Sequence, residues 1–263
     1  MSKIVIETIN DDVDLDKLVT FISEKFKQDK IQFKLEMHDI SSNLQHLNHT
    51  TRSQFDSPIY VGCTFAIKVM TRKNILSKQL DKYMCEDKKV IYIEPKGGFG
   101  TGTHPTTQMC VQMIEKYCTP DASVLDIGCG SGILSIVASK LGAKHVTGID
   151  ISEAAVLSSI HNADINNLSS DTIEFKQLEL QNMQPSVQCD VIVANLLTDT
   201  ITTLLPDILK NMHTGSKLIV SGIPDFRYNE MIDNLKKYDL VEIEHIDKDN
   251  WICIVANLNN NKQ

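Results

Sequence analysis

Three segments of this 263-residue chain combine residue types and spacings that could do chemistry. The first is Val124-Leu125-Asp126-Ile127-Gly128-Cys129-Gly130-Ser131-Gly132, an apolar strand that ends in three alternate glycines and runs straight into a helical pattern. Glycines let the backbone turn sharply and let a ligand touch the main chain. The helix N-terminus beyond them offers free N–H groups. An acid follows 22 residues after Gly128, at the end of the next apolar strand, in Gly148-Ile149-Asp150-Ile151. A carboxylate there can accept hydrogen bonds from both hydroxyls of a ribose. Strand, glycine turn, helix, strand, acid is the order of a nucleoside-cofactor site. A dinucleotide site has G-x-G-x-x-G, with a pyrophosphate on the helix N-terminus. Here the third glycine comes one position early and Ile133 takes the dinucleotide position, which argues against a dehydrogenase.

The second segment is Gly98-Phe99-Gly100-Thr101-Gly102-Thr103-His104-Pro105-Thr106-Thr107. Glycines interleaved with hydroxyls just before a helix suit a loop that closes over a ligand. A glycine linker followed by a helix cap is the plainer alternative, and for His104 itself cap and chemistry both stay open. The third segment, Asp190-Val191-Ile192-Val193-Ala194-Asn195-Leu196-Leu197, is a strongly apolar strand ending on a polar residue. Ligands of open α/β sheets bind beyond the carboxyl ends of the strands, which is where Asn195 falls. A helix cap or a turn residue is the lesser alternative. Paired carboxylates, a Ser-His-Asp order and metal-spaced histidines do not stand out, so neither a general base nor a metal site is assigned.

The elements that must position these segments can be read from periodicity. Lys3 to Thr8 alternates as a strand, Asp14 to Phe26 has helical spacing, and Ile31 to Leu35 alternates again. Residues 41 to 57 read as a loop. Ile59 to Met70 and Lys89 to Ile93 read as two further strands, and Glu94-Pro95-Lys96-Gly97-Gly98 as a break. Pro105 then opens a helix. Strands are expected at Ser123–Ile127, His145–Ile149, around Ile173 and Phe175, at Asp190–Ala194 and at Lys217–Ser221. Helices are expected over Ser131–Leu141, Ser152–Asn166, Thr198–Met212 with a kink at Pro206, and Asp225–Tyr238. Leu240–Ile246 and Trp251–Leu258 read as an antiparallel edge hairpin around Asp247-Lys248-Asp249-Asn250, with a polar, disordered tail from Asn257. Short apolar strands alternating with amphipathic helices imply an α/β fold with a mainly parallel sheet covered on both faces.

Composition limits the function classes. Apolar residues make up 42% and charged residues 23%, an ordinary globular balance. Lys plus Arg is 26 against 34 Asp plus Glu, a formal charge of −8, so a broad nucleic-acid surface built on phosphate neutralisation is not expected. Seven widely spaced cysteines with no C-x-x-C pair argue for reduced, mostly buried thiols rather than a disulfide framework or zinc ribbon. No apolar run approaches the roughly 20 residues that span a bilayer, and the N-terminus has no signal-like core, so a cytoplasmic, membrane-free protein is the expectation.

The G-x-G-x-G spacing led by an acid resembles the first motif of class I S-adenosylmethionine-dependent methyltransferases. Together, Phe99 to Thr107, Asp126 to Leu134, Gly148 to Ile151 and Ala194 to Leu196 resemble the PrmA family, the bacterial methyltransferases of large-subunit ribosomal protein eleven. Its pattern is F-G-T-G-x-H-x-T-T, D-x-G-C-G-S-G-I-L, G-x-D-I and A-N-[IL]. The likeness covers roughly residues 90 to 257. It implies a Rossmann-like methyltransferase domain over 89–263, with S-adenosylmethionine as cofactor, behind a small α+β substrate-recognition domain and linker over 1–88. Cofactor contacts carry over to Thr107, Gly128, Asp150 and Asn195. Gly130 joins them from the glycine turn, and Phe99, Gly100 and Thr101 from the glycine-rich loop. The implied partner is a ribosomal protein, methylated on lysine or N-terminal amines. Alternatives are a paralogue acting on another protein or small-molecule amine, and a cofactor-binding protein without turnover. In its N-terminal part the chain departs from the family, being short there and lacking the family's tryptophan-containing segment before the catalytic domain; the single tryptophan is Trp251.

Overall fold

A computed structural model describes residues 2–8, 33–39, 58–70, 88–96, 99–184 and 188–259. Backbone contacts divide the chain into two compact units, Met1–Ser53 and Gln54–Gln263. In the first, β1 (Ser2–Thr8) and β2 (Phe33–Asp39) pair in parallel, Ser2 opposite Phe33 through to Thr8 opposite Asp39. A parallel pair needs a crossover of a dozen residues or more. The helix expected over 14–26 falls in that crossover, outside the described residues, as does the loop of 41–57.

The second unit holds two sheets. The smaller contains β3 (Ile59–Val61), β4 (Phe65–Val69) and β5 (Lys89–Ile93), with β4 antiparallel to β3 and parallel to β5. The single strand expected over 59–70 is thus a tight hairpin. Gly62 turns it with φ +60°, and Glu115 Oε2 accepts the Cys63 N–H at 2.9 Å. This sheet shares a core with the larger one. Phe65, Ile67, Ile91 and Ile93 are fully buried in the cluster that holds Met109, Ile114 and Ile133. The contact division at 53/54 therefore lies upstream of the 88/89 division read from sequence, because the expected linker region supplies part of the core.

The larger sheet comprises β6 (Ser123–Ile127), β7 (His145–Asp150), β8 (Ile173–Gln177), β9 (Cys189–Asn195), β10 (Met212–Pro224), β11 (Leu240–Lys248) and β12 (Trp251–Leu258). Its order is β11-β12-β10-β9-β6-β7-β8, parallel from β8 to β10 and antiparallel at β12. Val191, Ile192, Val193 and Ala194 in central β9 are all buried, as a strand covered on both faces requires. The helices are α1 (Pro105–Tyr117), α2 (Ile133–Leu141), α3 (Glu153–Ile165), α4 (Thr198–Lys210) and α5 (Tyr228–Lys237). One face of the sheet packs Val124, Val146 and Val191 with α1 and α2 residues; the other packs Leu125, Ile149 and Ile192 with Ile201 and Leu205 of α4 and Met231 of α5.

Several boundaries move for local reasons. Gly132, in the left-handed region, is the N-cap of α2, so that helix begins two residues after Ser131. Met212 pairs with Cys189 and opens β10 rather than closing α4, which runs unbroken through Pro206. Asp225–Arg227 forms a 3-10 turn ahead of α5. The closing hairpin turns at Asp249 and Asn250, with φ 51° and 64°, the conformation of a two-residue type I′ turn. Its last strand is interior, lying between β10 and β11, so of the two hairpin strands β11 alone lies at an edge, and Asn257 and Leu258 belong to β12 rather than to a tail.

Candidate active site

From β6 the chain winds outward through β7 and β8, then crosses back to β9. The order therefore reverses between β6 and β9, and a crevice opens beyond their carboxyl ends, as doubly wound sheets dictate. A cleft of about 970 Å³ lies there. Ile127, Gly128, Asp150, Asn195 and Gly222, at the ends of β6, β7, β9 and β10, form its floor.

The glycine turn is built against the preceding loop. Gly128, Gly130 and Gly132 all have positive φ (72°, 55° and 79°). Gly130 is required twice over, by its φ and because a Cβ there would lie 2.5 Å from Phe99 O. That close approach lets Ser131 donate its N–H to Phe99 O at 2.9 Å and its hydroxyl to Gly100 O at 2.6 Å. The loop's far end is held by Gln108, whose Nε2 donates to Gly102 O and Thr103 O.

Asp150 closes the turn from β7. Its Oδ2 accepts the Gly130 N–H at 3.0 Å and its Oδ1 the Ser152 N–H at 2.9 Å. Each oxygen has capacity to accept a further hydrogen bond. Asp126, the acid leading the glycines, points instead into the protein. Its Oδ2 accepts from the Ser135 N–H and hydroxyl at 3.1 and 2.6 Å, while Oδ1 is buried without a partner. Burial pushes its carboxyl up to about 6, only partly offset by Ser135.

At the other end of the cleft, Asn195 Nδ2 makes a long 3.5 Å contact with Thr107 Oγ1. His104 caps α1, Nδ1 accepting the Thr106 N–H at 3.3 Å and lying 2.7 Å from Thr106 Oγ1. The same ring stands edge-on between Phe99 and Trp251, with centroids 5.5 and 5.2 Å away. Among the described residues, the cleft lining includes the acids Asp150, Glu179 and Asp199 and neither lysine nor arginine. Among the described residues, no group of three or more His, Cys, Asp or Glu could hold a metal ion, and no helix is long and apolar enough to cross a membrane.

The family model for ribosomal protein L11 methyltransferase (PrmA) matches residues 3–259. The chain belongs to the PrmA family. The match extends into the N-terminal unit, beyond the stretch that the motifs cover. A ribosomal protein L11 methyltransferase of Clostridium perfringens is 42% identical over 173 residues, 65% of this chain and 54% of the relative. One of Clostridium botulinum is 38% identical over 191 residues, 72% of this chain and 60% of the relative. The chain thus spans little more than half the length of the curated relatives it matches. Among solved structures, a ribosomal protein L11 methylase from Lactobacillus delbrueckii subsp. bulgaricus superposes with TM-score 0.66 at 26% identity, covering 77% of this chain and 98% of that one. The fold is the class I methyltransferase fold.

Of the positions picked out from sequence in this PrmA-family chain, Phe99, Gly128, Gly130, Asp150 and Asn195 line one cleft. Thr107 is fully buried behind Asn195, while Gly100 and Thr101 belong to the loop and are not part of the lining. His104 is both the cap and part of the wall. Trp251 and the Leu178-Glu179-Leu180 segment also line the cleft and were not picked out. Leu178 follows β8 directly, so the carboxyl-end rule could have found that segment. Trp251 comes into place only through its pairing with Pro224 across the hairpin.

Proposed function

We propose that this chain transfers methyl groups from S-adenosylmethionine to amines of ribosomal protein L11. The observation that carries the cofactor reading is the position of Asp150 at the end of β7, bonded to the Gly130 N–H and bordering the cleft. The lining fits a nucleoside: Ile149, Leu178 and Leu180 offer apolar walls beside one carboxylate, in a volume within the usual range for ligand sites. Bound S-adenosylmethionine supplies a methyl group on a sulfonium, open to in-line attack by an amine. Asp150 accepts the ribose hydroxyls. Asn195, at the end of β9 in the cleft lining, would accept an amine N–H on its carbonyl oxygen and so orient the lone pair. Phe99, His104 and Trp251 form an aromatic wall at that end. The substrate assignment rests on the family and on what its members are named for.

Calorimetry tests the cofactor. The protein binds S-adenosylmethionine, and Asp150→Ala weakens binding at least tenfold, on the order of 1.4 kcal/mol. No binding by the unaltered protein sinks the reading; equal affinity of the two proteins removes Asp150 from the site. Incubation with labelled cofactor and ribosomal proteins from the same cell tests the substrate. Label on a different protein with L11 left unlabelled would show L11 to be the wrong acceptor.

A further inference from the structure

Two large apolar side chains stand in solvent near the cleft, Leu197 in the cleft lining and Phe226 in the turn whose Arg227 bonds Asp199 of that lining. Phe226 is 82% exposed and Leu197 69% exposed. Neither is on a loose segment. Leu196 donates its N–H to Ser221 O at 3.0 Å, and β10 approaches it so closely that a Cβ on Gly222 would lie 2.1 Å from Leu196 O. The turn bearing Phe226 is braced at each residue. Asp225 donates its N–H to Asn250 O at 3.0 Å, and the Phe226 N–H goes to Asp225 Oδ1 at 2.6 Å. Arg227 then joins Asp199 Oδ1 at 2.5 Å to Glu230 Oε1 at 2.6 Å, tying the turn to the start of α4 two residues beyond Leu197. Rigidly presented, exposed apolar groups rimmed by polar ones mark a surface that a partner covers.

Charge says what kind of partner. Asp199, Asp225 and Glu230 stand around this rim, with Arg227 bonded to Asp199 and Glu230. Among the described residues, the adjoining cleft lining has three carboxylates and no lysine or arginine. The approaching segment is therefore basic, and what touches Leu197 and Phe226 is apolar. We propose that Leu197 and Phe226 form a shelf on which the substrate protein lays an apolar side chain next to its target amine. The site thereby selects an amine with an apolar neighbour in a basic segment. This inference rests on the methyltransferase reading above, since it takes the cleft to hold the target amine.

The test uses the whole chain and two fluorescent basic peptides, identical except for leucine or serine beside a single lysine, with binding followed by anisotropy in saturating S-adenosylmethionine. The unaltered protein binds the leucine peptide at least tenfold more tightly. Phe226→Ser and Leu197→Ser each reduce that preference severalfold, and Leu157→Ser, at a 60% exposed position on α3, leaves it alone. Equal affinity for the two peptides, or a preference untouched by both variants, overturns the proposal. So does a dimer that Phe226→Ser converts to a monomer in sedimentation, which would assign the patch to a second copy. Calorimetry of cofactor binding keeps the two readings apart. Its failure in the unaltered protein refutes the methyltransferase reading, whereas normal cofactor binding without peptide discrimination refutes only the shelf.

Discussion

A carboxyl group buried with one unpaired oxygen has a pH signature. Asp126 is held at about 6 by burial, above the ordinary range near 3.9. A carboxyl raised in the folded state contributes stability that is fully present below about pH 4 and is lost as pH rises through about 6, a change of about 3 kcal/mol. Asp126→Asn keeps an acceptor for Ser135 and removes the titration. Its stability relative to the unaltered protein therefore climbs between about pH 4 and 7.5, and thermal melts of both proteins across that range check it. A flat difference would mean that Asp126 does not titrate in this window. Thiols give a second residue-scale prediction. Cys63 is exposed while Cys110, Cys118, Cys129, Cys189 and Cys253 are buried, so brief alkylation of the native protein labels Cys63 and spares those five. At this scale the sequence made Gly128, Gly130, Asp150 and Asn195 legible, because strand ends and glycine spacing are local signals. The inward turn of Asp126 was not legible, since it depends on Ser135 meeting it across the β6–α2 corner.

Elements fix where those residues point. α1 begins at the glycine-rich loop, and the His104 cap holds its first turn. His104→Ala removes that cap and lowers stability by about 1 kcal/mol, while His104→Asn keeps most of it because asparagine is a good N-cap. Melts of the two variants separate cap from ring. If they behave alike, the loss belongs to the stacking with Phe99 and Trp251. Gly222 is the tighter constraint. Its φ is +87°, and an alanine Cβ would strike the Leu196 carbonyl backbone. Left-handed backbone costs roughly 1–2 kcal/mol for a non-glycine residue, and the forced displacement of Leu196 adds to it, so Gly222→Ala lowers stability by at least about 2 kcal/mol. The expected fall in Tm is at least about 4 °C. An unchanged Tm would show that β10 and the Leu196 turn yield freely. Periodicity located every strand and helix of the larger sheet, yet it could not see that β12 inserts between β10 and β11. Strand order is a long-range property, and it alone carries Trp251 to His104.

Over the whole molecule, charge and core division lead to separate tests. A chain of net charge −8, whose cleft lining carries three carboxylates among mostly apolar residues, is expected to draw a basic substrate by long-range attraction. Raising salt from about 0.1 to 1 M shortens the screening length from about 10 to 3 Å, so KM for the protein substrate rises while kcat changes little. The core says where the catalytic unit begins. Read from sequence, it starts at Lys89; by contacts it starts at Gln54. The difference matters because β4 lies beneath the glycine-rich loop. A Cβ on Gly102 would meet Ile67 at 2.8 Å and Ile133 at 3.3 Å, so both isoleucines support that loop. Removing residues 54–88 would strip Phe65 and Ile67 from Ile91, Ile93 and Met109, all of them buried in one cluster. Each such side chain exposed costs about 1.5–3 kcal/mol, so the three left behind cost roughly 4.5–9 kcal/mol, comparable with a domain's usual margin of about 5–15 kcal/mol. A fragment of residues 54–263 is thus expected to unfold cooperatively and to bind S-adenosylmethionine within about threefold of the full chain, a difference under about 0.7 kcal/mol. A fragment of residues 89–263 is expected to aggregate or melt without a transition. Denaturation curves and calorimetry on the two fragments decide the matter, and a stable, cofactor-binding 89–263 fragment would make the smaller sheet an accessory rather than part of the catalytic core.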